Sequence, residues 1–370
     1  MRNRVCVLIV LAVMLTTAAC GTGPAAEPVA TSAADPGFNL LVVAEGEVEL
    51  QRQEWSDYHR TAFGAVLHRG DMLRPGSGVN AVVLCDDVST WAVPPGMPSG
   101  LSNGCPSPQE PVLVRGESEL ASTRGGTDPG IPFIISPRKT NLLDDRPLLS
   151  WNEPPGVSGY LVQIKNADTG EIIWETTSGG HELPYPGEPA LESGVTYLLI
   201  VEAEGGGSSQ DEAVPGLGFR ILDETDAERV RAATEQVAEL ALDDEATALA
   251  LAQIYISHEL VAEAIEVLEP LAEAGSQSAA LQRTLGDLYR HAGLSLQAQE
   301  SYTRALELAE ADQDVEGQAA AQAALGEVYA TLGDADEAVS WLEKAQSGYA
   351  ALGDTQRASE LGERMADLGH

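Results

Sequence analysis

Gly100-Leu101-Ser102-Asn103-Gly104 has the G-x-S-x-G spacing in which a serine can become a nucleophile. That chemistry needs a sharp turn from a buried strand into a helix, which exposes the hydroxyl beside backbone N–H donors. Pro94-Pro95-Gly96-Met97-Pro98 precedes the motif and Cys105-Pro106-Ser107-Pro108 follows it, so neither element is expected and Ser102 reads as a turn residue. Asp312-x-Asp314-x-Glu316-Gly317 opens like a calcium loop, but the acid that should close it falls on Ala323. A solvated acidic face is the better reading. Arg74-Pro75-Gly76-Ser77-Gly78 and Gly205-Gly206-Gly207-Ser208-Ser209 lack the lysine and the following helix of a phosphate cradle, and read as turns.

The six histidines, His59, His68, His181, His258, His291 and His370, show no pair at ligand spacing. Asp86-Asp87, Asp144-Asp145 and Asp243-Asp244 would each need a facing partner in a cleft to act as acid and base, and nothing in the sequence places one there. The chain therefore reads as non-enzymatic, with no catalytic, cofactor-binding or metal-ligating residue. Cys85 and Cys105 have no His or acid at zinc spacing and are expected to form a disulfide. Closing that loop would add about 3 kcal/mol by constraining the unfolded chain.

The chain has 370 residues, with 57 acidic against 21 basic side chains and a net charge of −36. Nucleic acid and anionic lipid would be repelled, whereas a basic partner would be drawn to it. Arg2 and Arg4, then an apolar run from Val5 to Leu15, then Thr16, Thr17, Ala18 and Ala19 before Cys20, have the layout of an export signal. The ending T-A-A-C resembles the lipobox of bacterial lipoproteins, which implies a lipid on Cys20. Thr17 stands where that pattern carries an aliphatic residue, so cleavage nearby or an uncleaved anchor stays open. The expected location is extracytoplasmic, in the periplasm or on the cell surface, with membrane attachment through the N-terminal lipid only.

The remaining chain divides by composition. A signal peptide at 1–19 and a Pro/Ala/Thr/Ser-rich tether at 20–37 come first. From 38 to 116 the pattern is β: Leu41 to Leu50 alternates as one strand, Val79 to Cys85 is a second, and Trp91 to Val93 and Val112 to Val114 are further candidates. Gly46-x-Val48, Gly64-Ala65-Val66-Leu67, Gly70-Asp71, Leu73-Arg74 and Val79-x-Ala81-x-Val83 resemble the FecR-like domain, a small β module of cell-envelope regulators. The resemblance implies a fold rather than a chemistry. After a linker at 117–137, a second β unit at 138–222 has strands at Leu148 to Trp151, Tyr160 to Lys165, Ile172 to Glu175 and Tyr197 to Glu202. P-L-L-S-W, Tyr160 to Ile164 and Gly194-x-x-Tyr197 resemble a fibronectin type III or immunoglobulin-like sandwich. Trp151 and Tyr197 would then lie in its core, and a carbohydrate platform of Trp151, Tyr160 and Trp174 is the functional alternative.

From 223 to 370 proline nearly vanishes and the period becomes helical. Leu251-Ala252-x-x-Tyr255 is followed by Ala264, Leu268 and Leu271; Leu285-Gly286-x-x-Tyr289 by Ala298, Tyr302 and Ala305; Leu325-Gly326-x-x-Tyr329 by Ala338, Leu342 and Ala345. These are identified as tetratricopeptide repeats, at about 245–278, 279–312 and 319–352 with flanking helices. The first step is 34 residues and the second 40, so longer helices are expected around Asp312 to Gly317. Two small β domains followed by an all-α solenoid make a multidomain β + α chain. The resemblance implies a protein-interaction scaffold whose groove binds a protein or peptide, with Gln282, Asp287, Gln322 and Glu327 as candidate contacts. The alternative is an envelope sensor whose FecR-like module relays a signal to a membrane partner.

Overall fold

Alternating apolar residues and glycine turns divide the first β region into eight short strands in the computed structural model, which describes residues 37–106, 112–113, 125–212 and 217–369. They are β1 (Asn39–Glu45), β2 (Val48–Gln51), β3 (His59–Thr61), β4 (Val66–Leu67), β5 (Met72–Pro75), β6 (Asn80–Leu84), β7 (Thr90–Ala92) and β8 (Ser99–Gly100). Two antiparallel sheets result, in the orders β4-β1-β6-β7 and β3-β2-β5-β8. The single strand expected from Leu41 to Leu50 is broken at Gly46, where φ is +130° and a Cβ would press on Val79. The chain changes sheet there, so β1 and β2 belong to different layers. Cys85 and Cys105 are bonded, with Cα atoms 5.3 Å apart. Ser102 is exposed on a single 3-10 turn, Leu101–Asn103, and the described residues directly after it, 104–106, are not helical. The expected signal and tether, Cys20 included, lie outside the described residues, as does Val114.

The second β region holds β9 (Ile134–Ser136), β10 (Thr140–Leu142), β11 (Leu148–Trp151), β12 (Tyr160–Asn166), β13 (Ile172–Ser178), β14 (Glu182–Pro184), β15 (Thr196–Ala203) and β16 (Phe219–Ile221). A three-stranded sheet, β14-β11-β9, faces a five-stranded one, β10-β16-β15-β12-β13, in which β10 and β16 run parallel. Trp151, Tyr160 and Tyr197 are buried between the layers, with Trp151 edge-on to Tyr160. Of the three rings of the carbohydrate alternative, Trp151 and Tyr160 are thus buried, and only Trp174 is partly exposed. The Asp168-Thr169-Gly170 turn joins β12 to β13, and the Asn166 carboxamide oxygen accepts from the Asp168 and Thr169 N–H groups. β9 begins four residues ahead of the expected boundary at 138.

Eight α-helices follow among the described residues: α1 (Glu224–Glu239), α2 (Asp244–Ser257), α3 (Val261–Glu273), α4 (Ala279–Ala292), α5 (Ser295–Asp312), α6 (Val315–Leu332), α7 (Ala335–Leu352) and α8 (Thr355–Leu368). Side chains cap most starts: Asp223, Asp243, Ser278, Asp314, Asp334 and Asp354 each accept from a backbone N–H three residues on. Gly293 and Gly333 end the first helices of two repeats in the left-handed conformation. In the first repeat Glu259 holds that conformation instead, at φ +59°. The longer step is taken up on both sides of a left-handed break at Gln313: α5 and α6 have 18 residues each, against 14 in α4.

The helices pair as α2–α3, α4–α5 and α6–α7, with α1 and α8 at the ends. A Cβ on Gly286 would lie 2.7 Å from the Tyr302 ring, and one on Gly326 2.7 Å from Leu342, so only glycine permits this approach between paired helices. The β regions and helices form one compact unit. Phe38, Leu40, Val42 and Leu84 of the first β region share an apolar core with Leu249, Leu281 and Leu285 of the helices. Trp55, Leu50 and Leu73 share another with Ala319, Tyr349 and Leu352. No helix among the described residues is long and apolar enough to cross a membrane.

Candidate functional site

Each repeat offers two sides of its first helix, and α4 shows both. Residues two positions apart on a helix lie about 200° apart around its axis. Ala280 and Arg283 therefore face one way, and Gln282, Leu285 and Tyr289 the other.

The side of Ala280 and Arg283 is covered by the chain itself. The turn between β3 and β4 reaches it at Gly64, where a Cβ would lie 2.2 Å from the Ala280 Cβ and 3.2 Å from Leu249 of α2. Beside this contact a cavity of about 250 Å³ is lined by Arg52, Thr61 to Val66, Arg283, Asp314, Glu316 and Arg357 among others. Its charges are paired internally. Arg52 donates from Nε and Nη2 to the two oxygens of Glu316, 2.7 Å each, and from Nη1 to Asp71 at 2.8 Å. Arg357 of α8 donates to Glu316 at 3.0 Å.

Burial works against the Glu316 carboxylate, yet Arg52 and Arg357 outweigh it and hold its pKa below the ordinary value. Asp71 goes the other way: burial, opposed by Arg52, pushes it up to about 6. Asp314 is likewise raised by burial to about 6 while it caps α6 through the Gly317 N–H. Breaking such a buried pair leaves uncompensated charge and costs about 3–5 kcal/mol.

The second β region grips the array at its helix-to-helix turns. Arg138, 2 % exposed, donates from Nε to the Ala292 carbonyl, one of the acceptors left free at the end of α4. Its other nitrogens reach the Ile134 carbonyl and Glu212. Asn141 meets the carbonyls of His258 and Glu259 through its side chain and backbone. Glu263 at the start of α3 accepts from the Leu143 N–H at 2.6 Å with one carboxylate oxygen, while the other is buried without a hydrogen-bond partner. Burial raises Glu263 to about 7. His291 is pushed down to about 4 by burial and by the charges of Lys139 and Arg290.

The opposite side of α4 is open. Gln282, Leu285 and Tyr289 form the floor of a groove of about 720 Å³ whose walls are α3 and α5, and every residue lining it belongs to these helices or to the turn between α3 and α4. The Tyr289 hydroxyl donates across it to Glu269 of α3 at 2.5 Å. Gln282 occupies the position at which the tetratricopeptide pattern W-x-x-L-G-x-x-Y carries its tryptophan, followed here by Leu285, Gly286 and Tyr289. A shorter side chain leaves the space between the walls unfilled.

The four residues expected to touch a partner are placed differently from one another. Gln282 is 7 % exposed and lines the groove floor rather than standing out from the helix. Asp287 accepts from the Tyr302 hydroxyl at 2.6 Å and pairs with Arg283 at 3.3 Å. Glu327 is clamped by two nitrogens of Arg364 on α8, both at 2.9 Å. Gln322 is partly buried on α6. Only Gln282 of the four lines the outer groove. Sequence reasoning missed Arg52, Glu316 and Arg357, because nothing local marks a pair separated by 264 residues. The tryptophan of the pattern is absent at position 282 but equally at Ala248 and Gln322, so its absence did not single out this groove.

Residues 277–351 match the tetratricopeptide repeat family model. No curated protein matches the chain. Among solved structures, MamA is similar at 22 % identity over 39 % of this chain and 88 % of its own, with a TM-score of 0.28. BtubC from P. vanneervenii is similar at 21 % identity over 39 % of this chain and 72 % of its own, with a TM-score of 0.29. YrrB, described as a TPR protein with an unusual peptide-binding site, is similar at 22 % identity over 39 % of this chain and 80 % of its own, with a TM-score of 0.27.

Proposed function

We propose that this chain is an exported, lipid-anchored scaffold of the cell envelope that holds a protein partner on its tetratricopeptide array. The anchor reading rests on the signal-like N-terminus and Cys20. The scaffold reading rests on the repeats, and one observation carries its placement: the array closes one side against its own β regions and leaves the groove between α3 and α5 open. The β regions are read as a FecR-like module and a fibronectin type III-like sandwich. For the latter the support is the pairing of β9, β11 and β14 against a sheet built on β12 and β15. Their role is to brace the array.

The test is site-specific photocrosslinking of the full-length protein in intact cells. Crosslinker is placed at exposed array positions Thr303 and Glu310, or at Met97 and Ile172 of the β regions. Capture of a protein from the array positions is expected. Capture from the β positions alone would overturn the reading. Membrane fractionation of Cys20→Ser checks the anchor, and an unchanged membrane share would remove it.

A further inference from the structure

Three features of the outer groove bear on what it could hold. Its floor lacks the large ring of the repeat pattern, Gln282 standing in that place. Its charged lining is one-sided: Glu269, Glu273, Glu300 and Glu307 against Arg304 alone. Arg304 is itself paired with Glu307 at 2.9 Å and also bonds Gln277. The rim carries an apolar side chain, Leu296, which is 47 % exposed. In addition, the Gln297 carboxamide oxygen in this groove is buried with no hydrogen-bond partner, an acceptor that a donor entering the groove would satisfy.

We infer that this groove takes a basic, amphipathic segment of the partner protein. An apolar side chain seats above Gln282 and Leu285 beside Leu296, and lysine or arginine side chains meet the glutamates of the two walls. The floor from Gln282 to Tyr289 spans about two helical turns, or roughly 10 Å, which suits a short segment rather than a domain face. Charge complementarity selects the sign of the partner and speeds encounter, while the apolar seat supplies the part of the affinity that salt does not screen. The inference rests on the scaffold reading and narrows it to one surface and one partner chemistry.

The probe is a fluorescein-labelled peptide of leucine and lysine in amphipathic helical order, with a leucine and glutamate peptide of the same pattern as control. Binding to the full-length protein is read by fluorescence anisotropy. Gln282→Trp restores the ring of the repeat pattern and fills the seat, and is expected to weaken the lysine peptide about tenfold. The surface pair Glu300→Lys with Glu307→Lys is expected to weaken it by roughly threefold or more. The matched pair Glu343→Lys with Glu360→Lys changes net charge equally at exposed positions outside the groove, and a change of no more than about twofold is expected there. The glutamate peptide should not bind.

Equal weakening by the two lysine pairs would mean diffuse attraction to an acidic chain, and would overturn the proposal. Wild-type affinity in folded Gln282→Trp would also overturn it. If crosslinking captures a partner from the array and Gln282→Trp leaves that capture intact, the groove falls and the scaffold stands. If the array captures nothing, both fall.

Discussion

On one side of α4, Ala280 meets Gly64 so closely that no added carbon fits, and Arg283 looks into a cavity whose charges are paired within the chain. On the other side, Gln282 and Leu285 look into an open groove with an excess of carboxylates. The same repeat supplies both, so a repeat motif does not say which of its sides is available. The covered side is small and glycine-matched because a β turn must lie against it. The open side carries glutamine where the pattern has a ring, and among the described residues its lining comes from the array alone. Availability here depends on what the neighbouring β regions cover.

The largest test of the covered side is Glu316→Ala, which leaves Arg52 and Arg357 facing each other without their shared carboxylate. A loss of about 3–5 kcal/mol is expected in chemical denaturation. Stability within 1 kcal/mol of wild type, roughly the worth of an exposed pair, would mean that this side is not held by the network.

Next is Gly64→Ala, with φ at +78° and its new Cβ 2.2 Å from that of Ala280. About 2–3 kcal/mol should be lost, from backbone strain and overpacking together. Adding Ala280→Gly should return part of that loss. No recovery in the double variant would separate the two sites and undo the argument for their contact.

Glu263 probes the second covered edge through pH. Its folded pKa of about 7 lies above the ordinary 4.5, so protonation favours the folded state. The stabilisation is complete below about pH 4.5 and is lost as pH rises through about 7. Glu263→Gln should therefore be more stable than wild type by about 3 kcal/mol at pH 8 and nearly equal at pH 4. Parallel pH profiles for the two proteins would show that Glu263 is not buried as described.

The smallest effect belongs to the open side. Gln282→Trp should leave stability unchanged or raise it by about 1 kcal/mol, because it fills a groove instead of crowding a packed contact. A loss of more than about 2 kcal/mol would mean the groove is already packed. That outcome would bring the two sides of α4 into the same class.

Much of the helical array was legible from local pattern. The tyrosines at 255, 289 and 329, the alanines at 264, 298 and 338, and the turn glycines at 293 and 333 all mark places where one helix meets the next within a repeat or two. The flanking helices expected on either side of the repeats are α1 and α8. Several strands were equally clear, β11 and β12 among them. Less visible was the break at Gly46, where alternation continued through a change of sheet. Gln282, a candidate contact, is buried, because the side a helix turns to its neighbours is decided by those neighbours. Asp287 and Glu327 were candidate contacts too, and the partners that occupy them, Tyr302 and Arg364, lie 15 and 37 residues further on.

By itself, then, the amino-acid sequence determined the repeats, their caps and turns, and the β character of the first two regions. Those depend on residues a few positions apart, through the periods of helix and strand and the conformational freedom of glycine. It also determined the acidic excess, and with it the sign of charge that the chain attracts. Only the tertiary structure decided which side of the array is covered and which is open. That choice is made by contacts such as Arg52 with Glu316 and Gly64 with Ala280, between segments more than 200 residues apart. No local period connects such residues, and they meet only when separate apolar surfaces are buried against each other.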